Sequence, residues 1–326
     1  MRITILCGKC MRSARLKAFP KITDHMSESN DRSIHLYLTP PLRTTIERRV
    51  SDHFGRPWRI KQVADKRDEA SHPAAVLSDG RDAVFIKFGA TWDQLHIEAA
   101  SLRLLTERSG VLTPPVIDIV RIEDAMLMIM GVVQSVERGN RQWREMGYAL
   151  AQIHRSKGER FGLETNCYWG SLFQDNTPSA HWPDFFWTRR VEPHLRAAVD
   201  AGRLPAPIMA QVAHLAARLA TLCGPPVEPT LLHGDAHQNN FISSPGGAVL
   251  IDPAVYYGHP EMDLAYVDVF APVSGELYAG YQEILPIEPG FHQRRHLWIL
   301  PFRLAMIEVD GAQHIEALLA TLKHIA

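Results

Sequence analysis

The chain has 326 residues, enough for two modest domains or one two-lobed unit with an ample core. Lys and Arg number 35 against 36 Asp and Glu, a net charge of −1, so no overall basic field argues for nucleic acid or an anionic membrane as partner. No apolar run reaches the length needed to span a bilayer.

The four cysteines are Cys7, Cys10, Cys167 and Cys223, and no second CxxC or His pair completes a zinc set. They read as free thiols of a reducing, cytoplasmic compartment. The first 25 residues carry six basic residues and one acid but no apolar stretch of a secretory signal. Residues 1–25 are expected to be a disordered extension, with a transit peptide as the other reading. Met26-Ser-Glu-Ser-Asn-Asp has the composition of an ordinary cytosolic start, and the leader as a whole is placed at 1–32.

Thr39-Pro-Pro-Leu predicts a helix start, with proline where its missing N–H costs nothing. Leu42, Ile46, Val50 and Phe54 continue that helix at four-residue intervals, and Gly55 closes it. Ala74–Leu77 and Ala83–Phe88 read as strands joined by the turn Ser78-Asp79-Gly80. Thr91-Trp-Asp-Gln94 is a capping box that opens a helix to about Arg108. Val116–Val120 and Met126–Met130 are strands around Glu123-Asp124. This αββαββ order predicts a small lobe, residues 33–133, built on an antiparallel sheet. From residue 134 onward the pattern turns helical: Arg141–His154, Trp182–Ala201, Ile208–Leu222, then a helical tail from Met262. The fold class is α+β, with a small sheet lobe followed by a mostly helical one over 134–326.

Within the small lobe, Lys87 shares a strand face with Phe85 by the two-residue period. A strand lysine is commonly a solvated edge residue. Glu98, however, falls in an apolar helical stripe with Leu95, Leu102 and Leu105, where a carboxylate is costly unless paired. Lys87 is the nearest candidate partner. A strand lysine held by a helix glutamate is how kinases aim an ammonium at the α and β phosphates of ATP. The other reading leaves Glu98 wet at the edge of the stripe.

The most informative stretch is Leu231-Leu-His-Gly-Asp-Ala-His-Gln-Asn-Asn-Phe241, then the apolar run Ala248–Ile251 and Asp252-Pro253. Phosphoryl transfer from ATP needs a carboxylate that orients the attacking hydroxyl, plus oxygen ligands for magnesium. Asp235 is the candidate base, and Asn240 and Asp252 are the candidate Mg²⁺ ligands. His-Gly-Asp alone is a weak signal; an Asn five residues on and a β-rich run ending in Asp-Pro make it specific. His233 is read as tying the loop together rather than moving protons, and Asp263 as bracing it by accepting backbone N–H bonds. His154 and the aromatics Trp182, Phe185 and Phe186 are read as core.

These residues resemble the fructosamine (ketosamine) kinase family, which is related to aminoglycoside phosphotransferases and the protein-kinase-like fold. The resemblance runs from about Pro41 to Phe302 and includes Ile251-Asp-Pro-Ala-Val-Tyr-Tyr-Gly-His259 with Glu261 and Asp263-Leu-Ala. It implies ATP- and Mg²⁺-dependent phosphorylation of a sugar hydroxyl on a glycated amine, often the 3-hydroxyl, after which the amine is freed. It also implies an adenine hinge at Met130, Gly131 and Val132. Two features depart from the family pattern. The loop after His-Gly-Asp usually carries a tryptophan beside the acceptor sugar, where this chain has His237, kept as a substrate-contact candidate. The segment Gln62–Pro73, where a glycine-bearing nucleotide loop is expected, has no glycine and carries Asp65, Asp68 and Glu69.

Three readings follow: a ketosamine kinase, an aminoglycoside- or amino-alcohol-type kinase on the same scaffold, and a nucleotide-binding pseudokinase. All take a small molecule, and a monomer is the expected state.

Overall fold

The structure, a computed structural model, describes residues 34–67 and 72–325. The proposed leader, Cys7, Cys10, Asp68 and Glu69 lie outside the described residues. The chain divides into two compact units that interleave along it. The first holds the described residues up to Leu104, with Leu112–Glu137 and Ile242–Ile251; the second holds Leu105–Val111, Arg138–Phe241 and the described residues from Asp252 on.

The first unit opens with a short helix α1 (Ile34–Tyr37) and then α2 (Pro40–Phe54). Helix α2 ends at Gly55, whose φ of 64° is the left-handed conformation that lets its N–H close on the last turn. Five strands follow, β1 (Gln62–Asp65), β2 (Ala74–Ser78), β3 (Ala83–Phe88), β4 (Val116–Ile122) and β5 (Ala125–Gly131), with α3 (Trp92–Ser109) between β3 and β4. They form one antiparallel sheet in the order β1-β2-β3-β5-β4. Strand β1 is a correction to the sequence reading, which left Gln62–Pro73 as a loop; only residues 66–73 join β1 to β2. Its two apolar residues, Val63 and Ala64, are adjacent and so lie on opposite faces, a pattern too short for hydropathy to announce the pairing.

The period-two alternation of β3 splits the core into two layers. Val84, Ile86 and Phe88 pack with Leu42, Ile46, Val50 and Trp58 on one side. Phe85 faces Leu95, Ala99, Leu102, Met128 and Met130 on the other, the side covered by α3. Lys87 lies on the α3 side by the same alternation.

The second unit begins with α4 (Asn140–His154) and a short hairpin, β6 (Cys167–Trp169) and β7 (Leu172–Gln174). The expected helix over 182–201 is α5 (Trp182–Phe186), one wide turn at Trp187–Val191, and α6 (Glu192–Asp200). The expected helix over 208–222 is broken: α7 (Ala206–His214) and α8 (Leu219–Leu222) flank a tight turn at Ala216–Arg218. Strand β8 (Thr230–Leu232) follows. The hairpin β9 (Phe241–Ser244) and β10 (Gly247–Leu250) joins the first unit, where Leu250 donates its N–H to the Leu112 carbonyl. Strand β11 (Tyr256–Gly258) returns to pair antiparallel with β8. The tail resolves into α9 (Glu261–Tyr266), α10 (Gly275–Gln282), α11 (Phe291–Trp298), α12 (Leu300–Asp310) and α13 (Ile315–Ile325).

Trp182, Phe185 and Phe186 are buried, as a core cluster should be. Cys167 and Cys223 are buried free thiols; burial pushes Cys167 up and Cys223 up to about 12, which removes thiolate reactivity. Among the described residues no helix is long and apolar enough to cross a membrane.

Candidate active site

In the first unit, Lys87 and Glu98 meet as the apolar stripe predicts. The Lys87 ammonium lies 2.8 and 2.9 Å from the two Glu98 carboxylate oxygens. Lys87 is 7% exposed, so this ion pair is largely desolvated and each charge depends on the other. Met130 and Gly131 end β5, in register with Phe85 and Val84 of β3. The Gly131 N–H is taken by the Pro115 carbonyl at 2.9 Å. Val132 follows directly after the strand. Asp65, at the end of β1, accepts hydrogen bonds from the Arg67 guanidinium and from the Ile34 backbone.

The second unit carries the other group. The β8–β11 pair sets His233–Asp235, which follow β8, beside Asp252–Val255, which precede β11. The Ala254 N–H donates to the His233 carbonyl at 2.9 Å. Such close approach requires glycine at 234: its φ is 79°, and a Cβ there would stand 1.9 Å from the Ala254 carbonyl oxygen. Asp252 has a φ of 52°, a left-handed conformation that aspartate tolerates better than most residues.

Asp263 braces this turn by accepting backbone N–H bonds, and it does so from within the helix α9. Fully buried on α9, it accepts the His233 N–H on Oδ2 at 2.7 Å and the Gly234 N–H on Oδ1 at 3.0 Å. The carboxylate is itself held by His154 Nε2 at 3.2 Å, and His154 Nδ1 meets the Tyr281 hydroxyl at 2.9 Å. Leaving either backbone N–H buried without its acceptor would cost about 1–3 kcal/mol. His233 ties the loop together: its Nδ1 accepts the Asp235 N–H at 3.3 Å and its ring stacks on Phe241.

Asp235 presents its carboxylate inside a ring of donors. Asn240 Nδ2 donates to the Asp235 backbone carbonyl at 2.8 Å and to Oδ2 at 3.1 Å. His237 Nε2 lies 3.6 Å from Oδ2, and its ring meets Phe270 edge-on at 4.8 Å. The His237 Nδ1 atom is buried with no hydrogen-bond partner. The remaining oxygen, Oδ1, accepts the indole N–H of Trp169 at 2.6 Å. Trp169 is a residue that sequence reasoning missed, because a three-residue strand has too little pattern to mark it.

Asn240 and Asp252 suit a hard cation. With the Asn240 amide nitrogen committed to Asp235, its carbonyl oxygen would be the atom to ligate a cation, and Asp252 would add a carboxylate. No group of three or more His, Cys, Asp or Glu able to hold a metal occurs among the described residues. Two oxygen donors completed by phosphate and water are what Mg²⁺ takes, in contrast to a closed protein cage.

Both the sequence and the fold match known proteins. The fructosamine kinase family matches residues 42–326. A probable ketoamine kinase of Vibrio parahaemolyticus is 28% identical over 285 residues, 86% of this chain and 98% of its own. One from Synechocystis sp. is 29% identical over 262 residues, 78% and 87% of the two chains. A solved structure assigned to a fructosamine-3-kinase of Thermobifida fusca superposes with a TM-score of 0.76 at 29% identity, covering 86% and 98%. An aminoglycoside phosphotransferase solved with ADP and hygromycin B shares the fold at a TM-score of 0.59 and 14% identity, covering 86% and 96%. The fold is therefore the α+β, protein-kinase-like one, and the protein is a phosphotransferase with an alcohol group as acceptor. The chain belongs to the fructosamine kinase family.

Proposed function

We propose that the protein transfers the γ-phosphoryl group of ATP, with Mg²⁺, to a sugar hydroxyl of a ketosamine, a fructosamine-type glycated amine. The phosphate so placed makes the sugar–amine linkage labile and returns the amine. The observation that carries this reading is the Asp235 carboxylate on a braced turn, bonded to Asn240 five residues on and flanked by the Asp252 segment.

Each residue has a role in that reaction. Asp235 Oδ2 accepts the proton of the acceptor hydroxyl and holds its oxygen in line with the γ-phosphorus, since positioning carries most of the catalysis in phosphoryl transfer. The new P–O bond forms to that oxygen as the bond to ADP breaks. Asn240 and Asp252 would hold the Mg²⁺, which neutralises phosphate charge when bound. Lys87, oriented by Glu98, binds the α and β phosphates, and within the Met130–Val132 hinge it is the Val132 backbone, just past the strand, that takes the adenine, since the Gly131 N–H is held by Pro115. His233 and Asp263 act through the loop they support.

A second reading is favoured by one residue. His237, its Nε2 3.6 Å from Asp235 Oδ2, puts a polar ring where the family pattern carries tryptophan, and this suits an aminoglycoside or amino alcohol. The deciding experiment measures ATP/Mg²⁺ turnover on fructosyl-lysine, ribulosyl-lysine, an aminoglycoside and choline, with ³¹P NMR of the product. Phosphorylation of a ketosamine followed by release of lysine is expected. Turnover confined to the aminoglycoside or choline would replace the ketosamine reading with the second one.

A further inference from the structure

The candidate base has an unusual neighbour. Trp169, at the end of β6 and 6% exposed, gives its indole N–H to Asp235 Oδ1 at 2.6 Å. A hydrogen bond to an ionised carboxylate is among the stronger kinds, and this one is short. Tryptophan is a donor only, so unlike serine or glutamine it cannot reverse the bond's direction.

The ring itself is fixed from several sides. Tyr266 stacks on it nearly parallel, with centroids 5.5 Å apart and planes 9° from coplanar. Phe302 lies tilted at 5.8 Å and His194 meets it edge-on at 6.3 Å. His194 is anchored in turn, with Nδ1 2.6 Å from a Glu308 carboxylate oxygen and Nε2 3.2 Å from the Gln174 amide. An indole clamped this way holds its N–H vector steady.

On the opposite oxygen the contacts are looser: Asn240 Nδ2 at 3.1 Å and His237 Nε2 at 3.6 Å. The two carboxylate oxygens are therefore not equivalent. We propose that Trp169 is a positioning residue, which occupies Oδ1 and sets the rotation of the carboxylate so that Oδ2 alone is presented to the acceptor hydroxyl. This rests on the reading of Asp235 as the base. Without the indole N–H the carboxylate can turn about its Cβ–Cγ bond, and the hydroxyl is then held in line only part of the time.

Replacing Trp169 by phenylalanine keeps an aromatic ring on Tyr266 and removes the donor. Misplacement of a catalytic group by an ångström can cost up to about a hundredfold, so a loss of about tenfold in kcat is expected for Trp169→Phe, with KM for ATP and acceptor within about twofold of wild type. A role in packing alone would lower Tm and the yield of active enzyme. It would not produce dependence on Asp235. In the Asp235→Asn background, Trp169→Phe should cost nothing further, because the two residues act through one carboxylate.

Unchanged kcat in Trp169→Phe beside a slow Asp235→Asn would overturn the proposal and leave the base reading intact. A loss that multiplies onto that of Asp235→Asn would overturn it as well. Full activity in Asp235→Asn would remove the base reading, and this inference with it. Should Trp169→Phe fail to fold, benzothienylalanine at position 169 keeps the shape of tryptophan without the N–H, and the same outcomes apply.

Discussion

Two groups of the molecule to which the proposed phosphoryl transfer assigns roles are held in different ways. In the first unit, Lys87 and Glu98 are long side chains from a strand and a helix that meet tip to tip. In the second, the Asp235 turn is fixed through its backbone: Asp263 takes two successive N–H groups, Ala254 donates to the His233 carbonyl, and Gly234 permits the approach. Side chains joined at their tips retain rotamer freedom that only packing removes. A turn held by a buried carboxylate is organised before substrate arrives, which is what a catalytic group needs and an adjustable phosphate contact does not.

The largest effect should come from breaking the second arrangement. Asp263→Asn puts an amide N–H₂ where a backbone N–H now finds an acceptor, and it removes the carboxylate that His154 Nε2 meets. Leaving a buried donor without its acceptor costs about 1–3 kcal/mol, so urea unfolding of Asp263→Asn should show a loss of that order along with most of the activity. A variant of wild-type stability would mean the brace is dispensable.

Breaking the first arrangement should spare the fold of the second unit and act on nucleotide use. Lys87→Met keeps the aliphatic stem but removes the ammonium that meets Glu98. A charge-assisted bond to phosphate is worth about 1.5–3 kcal/mol, so kcat/KM for ATP should fall about 10- to 100-fold. An unchanged value would remove Lys87 from the nucleotide site.

A smaller effect sharpens the comparison through pH. His259, packed against Trp182 and Trp298 in the second unit, has its imidazole pushed down from 6.5 to about 3, first by burial and then by the charges of Arg294, His154 and Lys157. Above pH 6.5 it is neutral whether the chain is folded or not, so the stability it allows is fully present there. Between 6.5 and about 3 the unfolded chain takes a proton that the folded one refuses, and stability is lost as pH falls. Each pH unit in that window is worth about 1.4 kcal/mol, so acidification from pH 6.5 to 5 should cost about 2 kcal/mol. His259→Gln should flatten that slope in denaturant titrations; an identical slope would assign the acid sensitivity to other groups.

Much of this was legible because local pattern and chemistry coincide. The four-residue spacing of Leu42, Ile46 and Val50, the Ser78–Gly80 turn and the Thr91 cap each specify an element from a few residues. Glu98 in an apolar stripe announced a partner, and Lys87 is that partner. The spacing of Asp235, Asn240 and Asp252 pointed to the second group, and the structure bonds Asn240 to Asp235. What stayed hidden depends on contacts distant in sequence. Strand β1 exists by pairing with β2, and Trp169 reaches Asp235 from 66 residues away. The strands that set His233 against Ala254, and so the two loops side by side, are β8 and β11, between which a hairpin belongs to the other unit.

The account rests most heavily on the Asp235 carboxylate, and the direct measurement is steady-state turnover of Asp235→Asn, with ATP binding followed separately by calorimetry. Asparagine keeps the size of the side chain and the Trp169-facing oxygen but cannot take the hydroxyl proton. General-base groups contribute about 10²- to 10⁴-fold, so kcat should fall by that order while ATP affinity and the acceptor KM stay close to wild type. Wild-type turnover in Asp235→Asn would contradict the assignment of this turn as the catalytic one.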